Sequence, residues 1–313
     1  MSKTVGLVGA GSIVAMFYIR VLKSLGFTSI LLYDIDTAHA QQVANQYQVQ
    51  QVDWAAIAEK TSIIIIATPP HTHFDLLQQL ITKGKTIICE KPFVYLREHA
   101  EALVKQAEQQ EAKLYVAHIR RFFPGIALAK EYIANNETGK LLKATLCEGG
   151  RFSYKTHSGY VFQNPYGGVL LDTGSHVLDS FLYVTGLTKT PINCTVQQAV
   201  KDKAEPAHEV AYTFDVNDIP VSLKLSRLEP LANKITLYYE FGIIEVPLGI
   251  KPNISITTPN GHFVVSAAHS CISYMSEAFK QELDSILVKQ EANFLEAADF
   301  INLSMILETL YKA

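Results

Sequence analysis

Thr4-Val5-Gly6-Leu7-Val8-Gly9-Ala10-Gly11-Ser12-Ile13 is the stretch on which the architecture turns. Its first half is an apolar run with the length of a buried strand, and its second half is a glycine turn. A helix pattern follows, with Val14, Phe17, Ile19, Val21, Leu22 and Leu25 apolar, until Gly26 stops it. Ile30-Leu31-Leu32-Tyr33 then reads as a second strand, with Asp34 at its carboxyl end. Strand, glycine turn, helix, strand and acid, in that order, make a dinucleotide-binding unit. The glycines let the backbone approach a pyrophosphate, and the helix N-terminus favours its charge. Asp34 stands 23 residues after Gly11, where an acid accepts from the adenosine ribose hydroxyls. Val14 takes the place of the third glycine of the usual pattern.

The alternation continues outward from this unit. Residues 37–47 read as helix, 49–52 as strand and 54–60 as a helical turn or two. The four isoleucines within residues 62–67 mark a parallel strand buried on both faces. Pro69 and Pro70 end it, and Thr72 or His73 starts a helix over 74–82. Residues 85–89 form a strand that runs into Glu90-Lys91-Pro92, followed by a helix over 96–110 and a last strand over 113–117. The expected architecture is α/β: a Rossmann domain with a doubly wound parallel sheet over residues 1–118. After one more helix, 126–135, the chain turns strand-rich, with segments at 141–148, 192–201, 208–215, 221–227, 234–241, 243–248, 254–257 and 262–266. Tight junctions such as Asn217-Asp218 and Pro259-Asn260-Gly261 argue antiparallel pairing. Val210, Tyr212 and Phe214 alternate with polar neighbours, so one sheet face is buried, by helices or by another subunit. From Ser273 the tail is helical, with Phe279, Leu283, Ile286 and Leu287 as its stripe. Residues 119–313 are therefore expected to form an α+β domain on a large, mostly antiparallel open sheet.

Composition removes several function classes. At 313 residues the length suits two domains, and 48% hydrophobic with 18% charged residues describes an ordinary globular chain. Lys and Arg number 27 against 30 Asp and Glu, a formal charge of −3, which asks for neither nucleic acid nor an anionic membrane. The four cysteines are dispersed and form no C-x-x-C pair, as expected of reduced thiols in the cytoplasm. Lys3 and the run to Ile19 have the outline of a signal peptide, but Gly6, Gly9 and Gly11 interrupt it and no cleavage site follows. No stretch approaches the ~18 consecutive apolar residues of a membrane span. His71 and His73 lack helical metal-ligand spacing and have no carboxylate cluster beside them, so no metal site is expected.

Chemistry concentrates in three places. Lys91, at the end of a parallel strand, sits where open α/β sheets keep their ligands, and Pro92 biases its backbone toward an extended form. A lysine there donates to a substrate oxygen, although an isolated E-K-P also reads as a surface turn. Within Gly167-Gly168-Val169-Leu170-Leu171-Asp172-Thr173-Gly174-Ser175-His176-Val177-Leu178-Asp179, Asp172 and His176 are spaced i and i+4, on one face of a helix. A carboxylate beside an imidazole fixes its tautomer and raises its basicity, which suits a proton acceptor. The same pair also reads as a helix cap and a core histidine. Upstream, residues 150–166 are dense in aromatic and hydrogen-bonding groups, among them Arg151, Tyr154, His157, Tyr160 and Asn164, which suit a polyhydroxylated ring.

Taken together, the glycine turn, Ala67-Thr68-Pro69-Pro70 with His73, Gly84-Lys85 leading into Glu90-Lys91-Pro92, Arg120-Arg121-Phe122-Phe123-Pro124 and Gly167 through Asp179 resemble the glucose–fructose oxidoreductase / inositol dehydrogenase / MocA family. That resemblance implies an NAD(P)-dependent oxidoreductase acting on a secondary alcohol of a sugar, cyclitol or nucleotide-linked sugar. It assigns catalysis to Lys91, Asp172 and His176, with His176 or Lys91 as the base. Cofactor contacts are expected from Gly9, Gly11, Ser12, Ile13, Asp34, Thr68, Pro69, His73, Glu90, Lys91 and Arg120. Substrate contacts are expected from Lys91, Arg151, Tyr154, His157, Tyr160, Asn164, Asp172 and His176. Asp34, followed by Ile35 and Asp36 with no arginine, points to NAD rather than NADP. The resemblance also implies a homodimer or homotetramer formed through the second sheet. Two rivals share the fold: an NAD-dependent glycosidase and a dinucleotide-sensing regulatory protein.

Overall fold

The computed structural model of the chain describes residues 3–135, 138–152, 159–163, 167–267 and 272–313. They form two compact units. The first holds residues 3–117, 159–160 and 279–300; the second holds the described residues from 118 to 152 and 161 to 278, with 301–313.

The first unit is a parallel sheet of six strands: β1 (Val5–Val8), β2 (Ile30–Tyr33), β3 (Gln50–Gln51), β4 (Ile63–Ile66), β5 (Thr86–Glu90) and β6 (Lys113–Ala117). Their spatial order is β3-β2-β1-β4-β5-β6, which reverses direction between β1 and β4. Val5–Val8 and Ile63–Ile66 are buried along their whole length, as strands covered on both faces must be. The helices α1 (Ile19–Ser24), α2 (Thr37–Tyr47), α3 (Trp54–Lys60), α4 (His73–Leu80) and α5 (Arg97–Gln109) alternate with the strands. Asp36 and Asp53 cap α2 and α3 by accepting from the amides of His39 and Ala56. Before α1 the chain makes a π-turn over Val14–Tyr18. Val14, at the expected glycine position, is fully buried there.

The second unit begins with α6 (Pro124–Asn135) and β7 (Leu141–Gly149), then α7 (Ser175–Thr185). The strands β8 (Cys194–Lys201), β9 (Glu209–Val216), β10 (Ile219–Ser226), β11 (Lys234–Tyr239), β12 (Gly242–Pro247), β13 (Asn253–Thr258) and β14 (Gly261–Ser266) follow. The eight-stranded sheet runs β14-β13-β12-β11-β7-β10-β9-β8. All neighbours are antiparallel except β7 and β10, which pair in parallel. Val210, Tyr212, Phe214 and Val216 are the buried face of β9. Helices of the same unit cover that sheet: α6 lies against β12 and β13, α7 against β7, and α9 (Ile301–Lys312) against β8.

Within the stretch expected as the second domain, 119–313, the residues Phe279–Phe300 group with the first unit. The return passes through α8 (Met275–Leu283), on which Phe279 stacks against Phe17 at 4.5 Å between ring centroids. Tyr115 on β6 makes an antiparallel bridge to Glu296. The apolar stripe of Phe279, Leu283, Ile286 and Leu287 is buried in this unit. Among the described residues no helix is long and apolar enough to cross a membrane, and no group of His, Cys, Asp and Glu could hold a metal ion.

Candidate active site

At the carboxyl edge of the first sheet, Gly9 has φ +104°, and a Cβ there would lie 2.6 Å from the Ala67 carbonyl oxygen. Only glycine permits that approach of β1 to the end of β4. Gly11 faces the opposite situation: a Cβ there meets nothing within 4 Å. The turn thus has a bare, open backbone face beside the start of a helix, which fits a pyrophosphate. Asp34 Oδ2 accepts from the Ala10 amide at 2.6 Å, so the acid at the end of β2 is fastened to the same turn. Ser12 and Ile13 are half-buried beside it. These residues suit an NAD adenosine and pyrophosphate.

The neighbouring loop and the Glu90-Lys91-Pro92 turn are tied together by His73. Its Nε2 lies 3.0 Å from the Thr68 carbonyl, and its Nδ1 lies 3.0 and 3.1 Å from the carbonyls of Pro92 and Phe93. Burial lowers its pKa, against the pull of those three carbonyls. His73, one of the residues expected at the cofactor, is fully buried and braces the loop carrying Thr68 and Pro69. Glu90 is buried as well. Its carboxylate is turned into the protein, where Oε1 accepts from the Tyr18 hydroxyl at 2.6 Å and Oε2 from the Lys91 amide at 3.0 Å. Lys91 is half-buried at the end of β5.

In the second unit, the segment before α7 is a π-turn over Leu170–Gly174 rather than a regular α-helix. Gly174 allows it to pack closely, since a Cβ there would sit 2.9 Å from Leu225 on β10. Asp172 Oδ2 accepts from Arg227 Nη2 at 2.8 Å. The same guanidinium donates to the carbonyls of Val161 and Gly168 and lies over the rings of Phe152 and Phe162, at 4.9 and 5.6 Å. His176, half-buried on α7, meets the ring of His118 edge to face at 5.8 Å between centroids. His118 Nδ1 is 3.1 Å from Asp179 Oδ2, and Arg121 donates to Asp179 through Nε and Nη2. Burial alone would push the Asp179 carboxyl up. The Arg121 guanidinium and His118 reverse that and hold it well below the usual carboxylate range. The triad His118, Arg121 and Asp179 is buried.

Arg120, expected at the cofactor, is bidentate to Glu148 at 2.6 and 2.8 Å. Arg151 is exposed, and Tyr160 is half-buried. Tyr154, His157 and Asn164 lie outside the described residues. Tyr18, Arg227, Glu282 and the His118–Asp179 pair were not singled out by sequence. Asp179 had a signal, three residues beyond His176 on one helix; Arg227 and Tyr18 reach their partners over 55 and 72 residues, beyond any local pattern.

A model of the oxidoreductase family with an NAD-binding Rossmann fold matches residues 3–118, and one of the GFO/IDH/MocA C-terminal domain matches residues 126–245. Inositol 2-dehydrogenase of Rhizobium meliloti is 28% identical over 207 residues, 65% of this chain and 61% of that relative. The chain thus spans less than two thirds of that relative's length. Two solved structures share the fold. An oxidoreductase from Agrobacterium radiobacter, in complex with NAD+, L-tartaric acid and magnesium, has a TM-score of 0.82 and 18% identity over 100% of this chain and 96% of that one. Levoglucosan dehydrogenase, in complex with NADH and levoglucosan, has a TM-score of 0.82 and 19% identity over 100% and 97%. Two family models matching in order, one on the Rossmann unit and one on the open-sheet unit, show that the chain belongs to the GFO/IDH/MocA oxidoreductase family.

Proposed function

We propose that the protein is an NAD-dependent oxidoreductase acting on a secondary alcohol of a polyhydroxylated substrate: a sugar, cyclitol or nucleotide-linked sugar. The observation that carries this reading is Lys91 at the carboxyl end of β5, on the sheet edge that also bears the Gly9–Gly11 turn and Asp34. That edge, where the strand order reverses, is where doubly wound sheets bind their ligands. Bound NAD supplies the hydride acceptor. Lys91 donates a hydrogen bond to the alcohol oxygen and stabilises its developing charge. His176 takes the hydroxyl proton. Asp172, anchored by Arg227, holds the turn that leads into α7 and its His176. The inositol named for the Rhizobium meliloti relative supports the substrate class.

The unpaired thiols of Cys89, Cys147 and Cys194 fit a reducing, cytoplasmic setting. Exposed Val200 on edge strand β8, with Phe263 and Val264 on edge strand β14, supports association through the second sheet into a homodimer or homotetramer. The deciding experiment is a panel of cyclitols, sugars and nucleotide sugars incubated with NAD, followed by nicotinamide absorbance. Reduction of NAD by at least one class is expected. Release of an aglycone without net reduction would make the protein a glycosidase instead, and NAD binding with neither reaction would favour a regulatory protein.

A further inference from the structure

Behind the turn that carries Lys91, the first unit buries two carboxyl groups and a phenol. Glu90 is 7% exposed, while Tyr18 and Glu282 are 0% exposed. Aromatic rings wall the space. Phe279, one turn before Glu282 on α8, stacks on Phe17 and meets the ring of Tyr18 edge to face at 5.5 Å. Two carboxyl groups coupled in such surroundings do not both ionise.

Hydrogen bonds decide which of them bears the charge. Glu90 holds two donors, the Tyr18 hydroxyl at 2.6 Å and the Lys91 amide at 3.0 Å. Neither oxygen of Glu282 has a hydrogen-bond partner among the described residues. A carboxylate with two donors is favoured as the anion; one with none keeps its proton. The groups that face Glu90 are Tyr18 from the π-turn, Glu282 from α8, and Cys89 and Lys91 from its own strand end. Burial pushes the Tyr18 phenol, the Glu282 carboxyl and the Cys89 thiol well up, so these three are neutral; it raises the Glu90 carboxyl too, but there the Tyr18 hydroxyl, the Lys91 charge and the Lys91 amide pull the other way. The cation in the field of Glu90 is the Lys91 ammonium.

We propose that Glu90 is a positioning residue for Lys91: held by the Tyr18 hydroxyl, its carboxylate pins the Lys91 amide and keeps the Lys91 ammonium protonated. This rests on the reading in which Lys91 acts on the substrate hydroxyl, and it names what sets the charge of that group. Alcohol oxidation then falls at high pH as Lys91 loses its proton, and Glu90 determines where that fall begins.

The test is competitive labelling of the full chain with acetic anhydride across a pH series, read at Lys91 by mass spectrometry. Glu90→Gln is expected to lower the midpoint of Lys91 labelling by about one pH unit or more, the scale of losing an adjacent opposite charge. Tyr18→Phe lowers it in the same direction by less, and Glu282→Gln leaves it in place. With a substrate in hand, the basic limb of kcat/KM moves in parallel. An unmoved midpoint in Glu90→Gln and Tyr18→Phe would overturn the proposal, as would an equal shift in Glu282→Gln. Should Glu90→Gln fail to fold, Tyr18→Phe, which loses one hydroxyl, carries the test alone. Labelling needs no turnover, so a chain inactive on every alcohol would sink the dehydrogenase reading while leaving the labelling result to stand or fall by itself.

Discussion

Replacing Glu282 with glutamine is expected to stabilise the protein by an amount that grows with pH. Glu282 is fully buried, and neither of its oxygens has a hydrogen-bond partner among the described residues. Burial, reinforced by Glu90, pushes its carboxyl well above the ordinary value of 4.5. In the unfolded chain the group gives up its proton near that ordinary value, whereas in the folded chain it retains it. Between the two values the folded state binds one proton more than the unfolded state, so stability falls as pH rises. The sign is the reverse of a salt-bridged carboxylate: the contribution is fully present below the unfolded value and is lost on the way up to the folded one. Each pH unit costs about 1.4 kcal/mol, hence about 3 kcal/mol over two units. Glutamine matches the protonated acid in shape and has no such dependence. Urea unfolding of both proteins at about pH 5, 6, 7 and 8 measures the difference. It should widen in favour of Glu282→Gln by about 1.4 kcal/mol per unit until the folded value is reached. A difference that stays flat across the series would show that Glu282 ionises alike in both states, and the account of a neutral buried acid would fail.

The same acid-to-amide change has the opposite sign at Asp179. Asp179→Asn leaves the buried Arg121 guanidinium without its counter-charge, which costs about 3–5 kcal/mol and lowers Tm by roughly 10 °C. Because the folded carboxyl lies below its ordinary 3.8, the unmodified protein holds this stabilisation above that value and loses it as pH falls through the folded one; thermal melts in acid should therefore converge. Lys91→Met should cut turnover by about two to four orders of magnitude while NAD affinity, measured by calorimetry, is retained. Asp34→Ala should narrow the preference for NAD over NADP, and tighter binding of NADP than NAD by the unmodified protein would contradict the role given to Asp34. If His176 is the base, kcat/KM for oxidation rises with pH through an acidic limb before the high-pH fall assigned to Lys91; His176→Ala should abolish that acidic limb, and an unchanged profile in the folded variant would assign the proton elsewhere.

The parallel sheet is legible in the sequence because a strand buried on both faces must be apolar throughout, as Val5–Val8 and Ile63–Ile66 are. The second sheet is legible through alternation, which Val210, Tyr212 and Phe214 show and which burial reproduces. Period alone says that a face is covered, not by what. The stripe from Phe279 to Leu287 therefore announced a buried helix but not its return to the first unit, and the parallel pairing of β7 with β10 had no local signal. π-Turns are hidden for a related reason: one extra residue per turn leaves Val14 and Leu170 apolar and buried as before.

At the site, backbone demands could be read and side-chain partnerships could not. Gly9 is recognisable because the turn tolerates little else there, Gly11 because a bare backbone face suits a pyrophosphate, and Lys91 because it ends a strand. Partnerships depend on which distant segment arrives. Along α7 and its π-turn, Asp172 and Asp179 are both within four residues of His176, and local spacing favours either as its neighbour. Topology divides them otherwise: Arg227 from the end of β10 takes Asp172, while His118 and Arg121 from the end of β6 take Asp179. The imidazole with a carboxylate 3.1 Å away is thus His118, and His176 lies against that ring rather than standing alone. An i, i+4 rule describes what two side chains on a helix do when nothing else competes for them. In a buried site, an arginine that would otherwise be unpaired competes decisively, because leaving it so costs about 3–5 kcal/mol against a few tenths for the helical pair.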